Sequence, residues 1–281
     1  MLGTFKRILQ DIAFNKMSIG IAHAHRFPLL HEKHALRELL VYLDIDCVFD
    51  VGANEGQYAE LLRSIGYNGR IVSFEPIPRL AKTLRKKAAH DANWYIESVA
   101  LDSTPRHVEF NVASSHSLSS LHTPLPGGVF ERDITASERI GVDTDTLDNY
   151  FRDYQKELGF RRAFLKMDTQ GHDLSVAAGA GETLSEFCGI QSEVAIAPLY
   201  QDQPSLGEAV RFYDERGFAI NAVLPTHYAF PTLIEVDLLF INRRRIHTGP
   251  TTSYRRQRRK PDEVAAGANE TSKVVLPPKS E

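Results

Sequence analysis

Asp50, Gly52, Asn54 and Gly56 lie within the run V-F-D-V-G-A-N-E-G at 48–56, and nineteen residues beyond Gly56 stands Glu75. An apolar pair runs into an acid, two glycines bracket a polar turn, and an amphipathic segment follows (Gln57, Tyr58, Leu61, Leu62, Ile65). This order predicts a strand, a tight turn and a helix start, which together build a nucleotide-type site at the carboxyl end of a parallel strand. Glu75 closes the next apolar run, Arg70-Ile71-Val72-Ser73-Phe74, where a carboxylate can accept both hydroxyls of a ribose.

A dinucleotide fingerprint would read G-x-G-x-x-G, whereas its second glycine is Asn54 here. A smaller charged group than a pyrophosphate fits better, and S-adenosylmethionine is the expected ligand. Its aminoacyl end would lie over the turn, its ammonium near Asp50 and its ribose at Glu75. The residues expected to hold it are Asp50, Gly52, Ala53, Asn54, Gly56, Glu75, Pro76 and Asp102. Asp102 enters through Ser98-Val99-Ala100-Leu101-Asp102, at the end of the third strand, as a partner for the adenine amine.

A second constellation is F-L-K-M-D-T-Q-G-H-D at 164–173. Strand period two turns Leu165 and Met167 one way, Lys166 and Asp168 the other. Asp168 then faces the same crevice as Asp50 and Glu75. Lys166, Asp168 and His172 are the catalytic candidates, with His172 the general base because an imidazole titrates near pH ~6.5. His116 and His122, in a polar loop, are rivals for that role. Lys166 and Asp168 could equally pair at a sheet end, with His172 capping a helix. Asp168, Asp173 and Glu193 could together hold a divalent cation that lowers the pKa of a substrate hydroxyl, although oxygen ligands scattered in sequence are a weak signal.

These groups need a scaffold, and the chain alternates accordingly: strand 47–51, helix 56–66, strand 70–75, helix 78–90, strand 94–101. A polar insertion over 105–146 carries two strands and a Ser-, Thr- and Pro-rich loop. The rhythm resumes with helix 146–158, strand 162–168, helix 172–185, strand 188–196, helix 204–216 and a closing strand pair, 218–224 and 234–242. Such alternation predicts an α/β, doubly wound, mostly parallel sheet with helices on both faces. Residues 1–42 read as a helical extension, a lid or homodimer contact. Residues 43–243 form the main domain, and 244–281 form a basic tail of low apolar content.

From Arg243 onward there are ten Lys or Arg and four Asp or Glu, a net of +6; the first 242 residues carry 23 and 32, a net of −9. The tail's single aromatic, Tyr254, gives base stacking little support, so a nucleic-acid partner is not expected. No apolar run approaches the ~20 residues that span a bilayer, and the N-terminus lacks a signal-peptide pattern. A cytoplasmic protein is the expectation. Cys47 and Cys188 match neither zinc nor redox spacing and read as core thiols.

Taken together, F-D-V-G-A-N-E-G (49–56), F-E-P (74–76), D-T-L-D (145–148), L-K-M-D-T-Q-G (165–171), the Ala178-Gly179-Ala180 turn and Glu193 resemble the FkbM-type family of S-adenosylmethionine-dependent methyltransferases. The resemblance covers about Cys47 to Arg243. It implies a Rossmann-like class I methyltransferase fold with a seven-stranded sheet, and O-methylation of a small-molecule or carbohydrate acceptor. Many relatives have Glu and a second acid where this chain has Gln170 and Asp173, which argues against a metal role at Gln170. Two other readings stay open at this level: an NAD-dependent oxidoreductase, and a methyltransferase-like module that binds without catalysing.

Overall fold

The computed structural model describes residues 27–113, 115–126 and 136–246. Helix α1 (Phe27–Tyr42) leads into β1 (Cys47–Val51), α2 (Gln57–Ser64), β2 (Arg70–Phe74), α3 (Pro78–Ala88) and β3 (Trp94–Glu97). The insertion supplies β4 (Ala100–Leu101), β5 (His107–Ala113) and β6 (Ala136–Asp145). Then follow α4 (Leu147–Leu158), β7 (Ala163–Met167), α5 (Asp173–Gly179), β8 (Phe187–Ala195), α6 (Leu206–Glu215), β9 (Phe218–Ala229) and β10 (Thr232–Asn242).

Seven strands form one sheet in the order β3-β2-β1-β7-β8-β10-β9, parallel except for the pairs made by β10. The order reverses between β1 and β7, and ligands of open α/β sheets bind at that switch point. Strand periodicity sorts the two faces. Phe49 and Leu165 join a core with Leu147 and Phe151 of α4, Val176 of α5 and Tyr213 of α6. Val48 and Phe164 turn the other way, onto Leu36 and Leu40 of α1 and Leu62 of α2. Phe49 has four aromatic rings within 6.1 Å, among them Phe187 at 5.5 Å and Phe160 at 5.6 Å. Burying a ring of this size contributes about 1.5–3 kcal/mol.

Local signals explain the helix ends. Pro78 opens α3 where an amide would be unsatisfied anyway. The Thr146 hydroxyl accepts from Asn149 N at the start of α4, and Gly159, at φ 63°, ends it. Ser205 and Glu208 form a reciprocal capping box on α6.

Four elements depart from their expected bounds. The strand expected over 94–101 breaks after Glu97, and β4 leaves the main sheet to pair with β6 in a three-stranded sheet, β4-β6-β5. The helix expected over 172–185 stops at Gly179 and continues as a 3-10 turn, Gly181–Glu186, because Gly181 takes φ 52°. The closing hairpin is longer than expected, since β9 continues through Pro225 to Ala229. Proline is tolerated there because β9 is the sheet edge. Finally, Leu36, Leu39 and Leu40 are buried, so the second half of α1 belongs to the core rather than to an appended lid. The rest of the expected N-terminal extension, residues 1–26, and the tail from 247 lie outside the described residues. Of the first basic run, Arg243 pairs with Asp214 and Arg245 with Glu186.

Candidate active site

The turn after β1 is shaped by backbone approach. Gly52 sits at φ 79°, and a Cβ there would stand 2.0 Å from the carbonyl oxygen of Asp168. Only glycine lets the β1 and β7 ends come together. Gly52 N and Ala53 N donate to Phe74 O, at 3.1 and 3.0 Å, which ties the turn to the end of β2. Asn54, also left-handed at φ 49°, donates its N–H to Glu75 Oε2 at 2.8 Å, and Ile77 N donates to Oε1 at 2.8 Å. Two amides therefore aim Glu75, while its remaining lone pairs stay available to a diol. Burial pushes the Glu75 carboxyl up to about 7 against the pull of those two N–H groups.

A cavity of about 510 Å³ opens over this turn. Gly52, Ala53, Asn54, Glu75 and Pro76 line it on one side; Lys166, Asp168, Thr169 and His172 line it on the other. Val99, Ala100 and Leu101, with Ile77 and Phe110, form an apolar slot at one end. At the opposite end Leu29, Glu32 and Lys33 of α1 meet Gln191 of β8 and Asp237 of β10.

Three cofactor candidates do not line the cavity: Asp50, Asp102 and Gly56, the last at φ 89° where a Cβ would meet Trp94 and Leu84. Asp50 is fully buried in the sheet and does not line the cavity. Its register neighbours are Ser73 and Lys166; Oδ2 accepts from Ser73 Oγ at 3.0 Å, and Oδ1 lies 3.3 Å from Lys166 Nζ. At this point it is the lysine, not the carboxylate, that lines the cavity. Trp94 Nε1 donates to the same Ser73 Oγ at 2.9 Å, completing the frame behind the lysine. Lys166 also lies 3.7 Å from Asp168 Oδ2 and 5.2 Å from the Tyr58 ring centroid. Burial works against its charge, but Asp50, Asp168 and Asp237 outweigh burial and raise its pKa.

Asp102 is the second correction. Oδ1 accepts from Ser103 N at 2.6 Å and lies 3.0 Å from His172 Nε2; Oδ2 accepts from Arg106 Nε at 2.8 Å. Its oxygens are committed to these partners, and it is absent from the cavity wall. Burial alone would raise its pKa, yet His172, the Ser103 amide and Arg106 together hold it well below the usual carboxylate range. Gly179 permits this arrangement: a Cβ there would lie 2.1 Å from Asp102 O.

His172 does line the cavity, between two partners. Nε2 faces Asp102, and Nδ1 faces His122 Nε2 at 3.2 Å, so one proton lies between the two rings. Burial, then the charge of His172, lowers the pKa of His122. His116 also borders the cavity, 3.2 Å from an Arg79 nitrogen.

The structure does not bring together the proposed metal set of Asp168, Asp173 and Glu193. Asp173 Oδ1 accepts from Thr169 N and Oγ1, and Oδ2 from Ser192 Oγ and Glu193 N, which leaves it no free direction. Gln170 stands between the other two: its Nε2 donates to Asp168 Oδ1 at 2.9 Å and also to Glu193 Oε2, and its Oε1 accepts from Tyr200 OH at 3.1 Å. Tyr200 is thus a buried support whose hydroxyl also reaches Leu118 O at 2.8 Å.

Sequence reasoning missed Glu32, Tyr58, Gln191 and Asp237. Tyr58 OH donates to Gln191 Oε1 at 2.8 Å, and Gln191 Nε2 donates to Asp237 Oδ2 at 3.0 Å and Glu32 Oε1 at 3.3 Å. Burial first, then the charges of Asp168 and Glu32, push Asp237 up. For Gln191 and Asp237 the signal was present: a polar residue inside an apolar buried strand is the informative exception.

The family described as the methyltransferase FkbM domain matches residues 50–220. A curated relative, the 2-O-methyltransferase NoeI of Sinorhizobium fredii (strain NBRC 101917 / NGR234), is 26% identical over 207 residues, covering 69% of this chain and 79% of the relative. Among solved structures, magnesium protoporphyrin IX methyltransferase from Synechocystis PCC 6803 with bound SAH aligns at TM-score 0.41 and 11% identity, over 84% of this chain and 99% of that one. An rRNA methylase from Streptococcus thermophilus aligns at TM-score 0.41 and 12% identity, over 79% and 99%. With the family matched across the glycine turn, Glu75 and the β7 and β8 ends, the chain belongs to the FkbM methyltransferase family and is an S-adenosylmethionine-dependent methyltransferase.

Proposed function

We propose that this methyltransferase acts on a hydroxyl oxygen of a sugar or a comparably polar small metabolite. The observation that carries this reading is the cavity's polar far end, where Glu32, Gln191 and Asp237 adjoin Asp168. Carboxylates and an amide held in fixed positions suit the several hydroxyls of a carbohydrate, and the apolar slot at Val99–Leu101 suits adenine. Glu75 then takes the ribose hydroxyls, and Lys166 meets the aminoacyl carboxylate. The relative whose name is 2-O-methyltransferase also acts at oxygen.

The sulfonium already makes the methyl group electrophilic. The protein must align an acceptor oxygen in line with the sulfur–methyl bond, exclude water and receive the proton. His172 is the base in this reading. Asp102 orients its Nε2, as an acid orients the base in other dyads, and Nδ1 is the atom that takes the proton once the acceptor displaces His122. Asp168, on the same wall, holds the acceptor in place.

The test begins with calorimetric titration of the full chain by S-adenosylhomocysteine, with NADH as control. A screen of mono- and oligosaccharides and phenolic metabolites for acceptor-dependent S-adenosylhomocysteine release follows. Turnover with a hydroxylated sugar supports the proposal. Turnover confined to nitrogen or carbon acceptors rejects it, and NADH binding in place of S-adenosylhomocysteine restores the oxidoreductase reading.

A further inference from the structure

Beyond Gln170, outside the lining of the cavity, three ligating side chains from three neighbouring strands converge: Glu193 of β8, His227 of β9 and Glu235 of β10. The sheet brings them together. Glu235 pairs with His227 across the β9–β10 hairpin, and β10 pairs with β8 on its other side. One atom from each lies within 4.8 Å of the other two. His227 Nδ1 is 3.0 Å from Glu235 Oε2 and 3.9 Å from Glu193 Oε1. A tetrahedral ion with bonds of about 2.0–2.2 Å separates its ligands by roughly 3.3–3.6 Å, between those two values.

Glu235 supplies an independent observation. It is 1% exposed, and neither carboxylate oxygen has a hydrogen-bond partner among the described residues. The His227 imidazole stands 3.0 Å from Oε2, within pairing distance. A His227–Glu235 ion pair would account for Oε2 and leave Oε1 bare. Buried carboxylates are otherwise hydrogen-bonded, paired or bound to metal, because desolvating an unsatisfied one is costly. Glu193 is nearly as buried, with Gln170 on its Oε2 and its Oε1 turned toward His227.

We propose that Glu193, His227 and Glu235 bind a divalent transition-metal ion, with His227 on the solvent side and a coordination position left for water. Imidazole with two carboxylates suits zinc, manganese or cobalt rather than calcium or magnesium, which take oxygen ligands. The ion pins the β8, β9 and β10 ends to one another. Through Glu193 and the Gln170 amide it also fixes Asp168 at the cavity wall. The assignment rests on these three side chains and is independent of the acceptor's identity.

The test uses tag-free, full-length protein stripped with a chelator and dialysed. Calorimetric titration with Zn²⁺ and with Mn²⁺ is run alongside the visible absorption of added Co²⁺, for the wild type and the His227→Ala and Glu235→Gln variants. His227 is half-exposed on an edge strand and Glu235→Gln preserves shape, so circular dichroism without metal should match the wild type. The expected result is one ion per chain, a higher melting temperature with metal, and at least a tenfold weaker affinity in each variant. No binding at millimolar metal, or binding of equal strength in wild type and both variants through other histidines, overturns the proposal.

Discussion

His172 Nε2 lies 3.0 Å from Asp102 Oδ1, and both side chains are buried. Asp102 is therefore a positioning residue for the base rather than a cofactor contact. Asp102→Asn should lower kcat by about 10²-fold, at the lower end of what a general base supplies. Affinity for S-adenosylhomocysteine should change less than twofold, because Asp102 does not line the cavity. Steady-state rates beside a calorimetric Kd separate the two effects. A raised Kd at unchanged kcat would return Asp102 to the cofactor.

Glu75 makes two opposite pH predictions from one carboxyl. Its pKa in the folded protein is about 7, above the ~4.5 of the unfolded chain. Between those values the folded state holds the proton and the unfolded state does not, so this group's contribution to stability falls as pH rises from 4.5 to 7. Cofactor affinity should move the other way and tighten from pH 6 to 8, as the carboxylate forms and accepts the ribose hydroxyls. Glu75→Gln should bind S-adenosylhomocysteine roughly 1.5–3 kcal/mol more weakly and lose that pH dependence. Parallel melts and titrations across this range read both slopes.

Asp50 tests how far the glycine turn depends on what lies beneath it. Lys166 Nζ is 3.3 Å from Asp50, and its side chain is 8% exposed. Asp50→Ala removes the nearest carboxylate from that ammonium, leaving Asp168 at 3.7 Å and the Gly52 carbonyl at 3.4 Å, and breaking a buried pair from one side costs about 3–5 kcal/mol. Denaturant unfolding should show this loss even without ligand. A variant of wild-type stability with weakened cofactor binding would instead place Asp50 in contact with the ligand.

The parts of the molecule governed by local rules were legible in the sequence. Strand alternation placed Lys166 and Asp168 on one side of β7, and the glycines marked the turn that Gly52 makes beside Asp168. What escaped depends on side chains choosing partners at long range. Asp102 and His172 are 70 residues apart and meet because α5 packs against the backbone of Asp102 at Gly179. Glu193, His227 and Glu235 come together only through the order and register of the last three strands, with β9 extended past Pro225. Asp50 appeared as a ligand contact because sequence position cannot tell a carboxylate pointing at the crevice from one pointing at a neighbouring strand.

Gln170 is the place where chemistry at the cavity and the buried acids behind it are coupled. Its amide nitrogen donates to both Asp168 and Glu193, and its oxygen accepts from Tyr200, so the two donated bonds depend on the side chain being neutral. In Gln170→Glu an ionised side chain would remove both donors and add a third carboxylate. The loss should be at least about 1.5–3 kcal/mol, the range for hydrogen bonds to charged groups, and should appear as several degrees in Tm. Burial among acids must raise the new carboxyl's folded pKa above its unfolded value, so stability should fall as pH rises and recover toward pH 5, where the protonated form donates again. Melting the variant and the wild type side by side at pH 5 and pH 8 measures this directly. An equal deficit at both pH values would mean that shape, rather than charge, sets the requirement for glutamine.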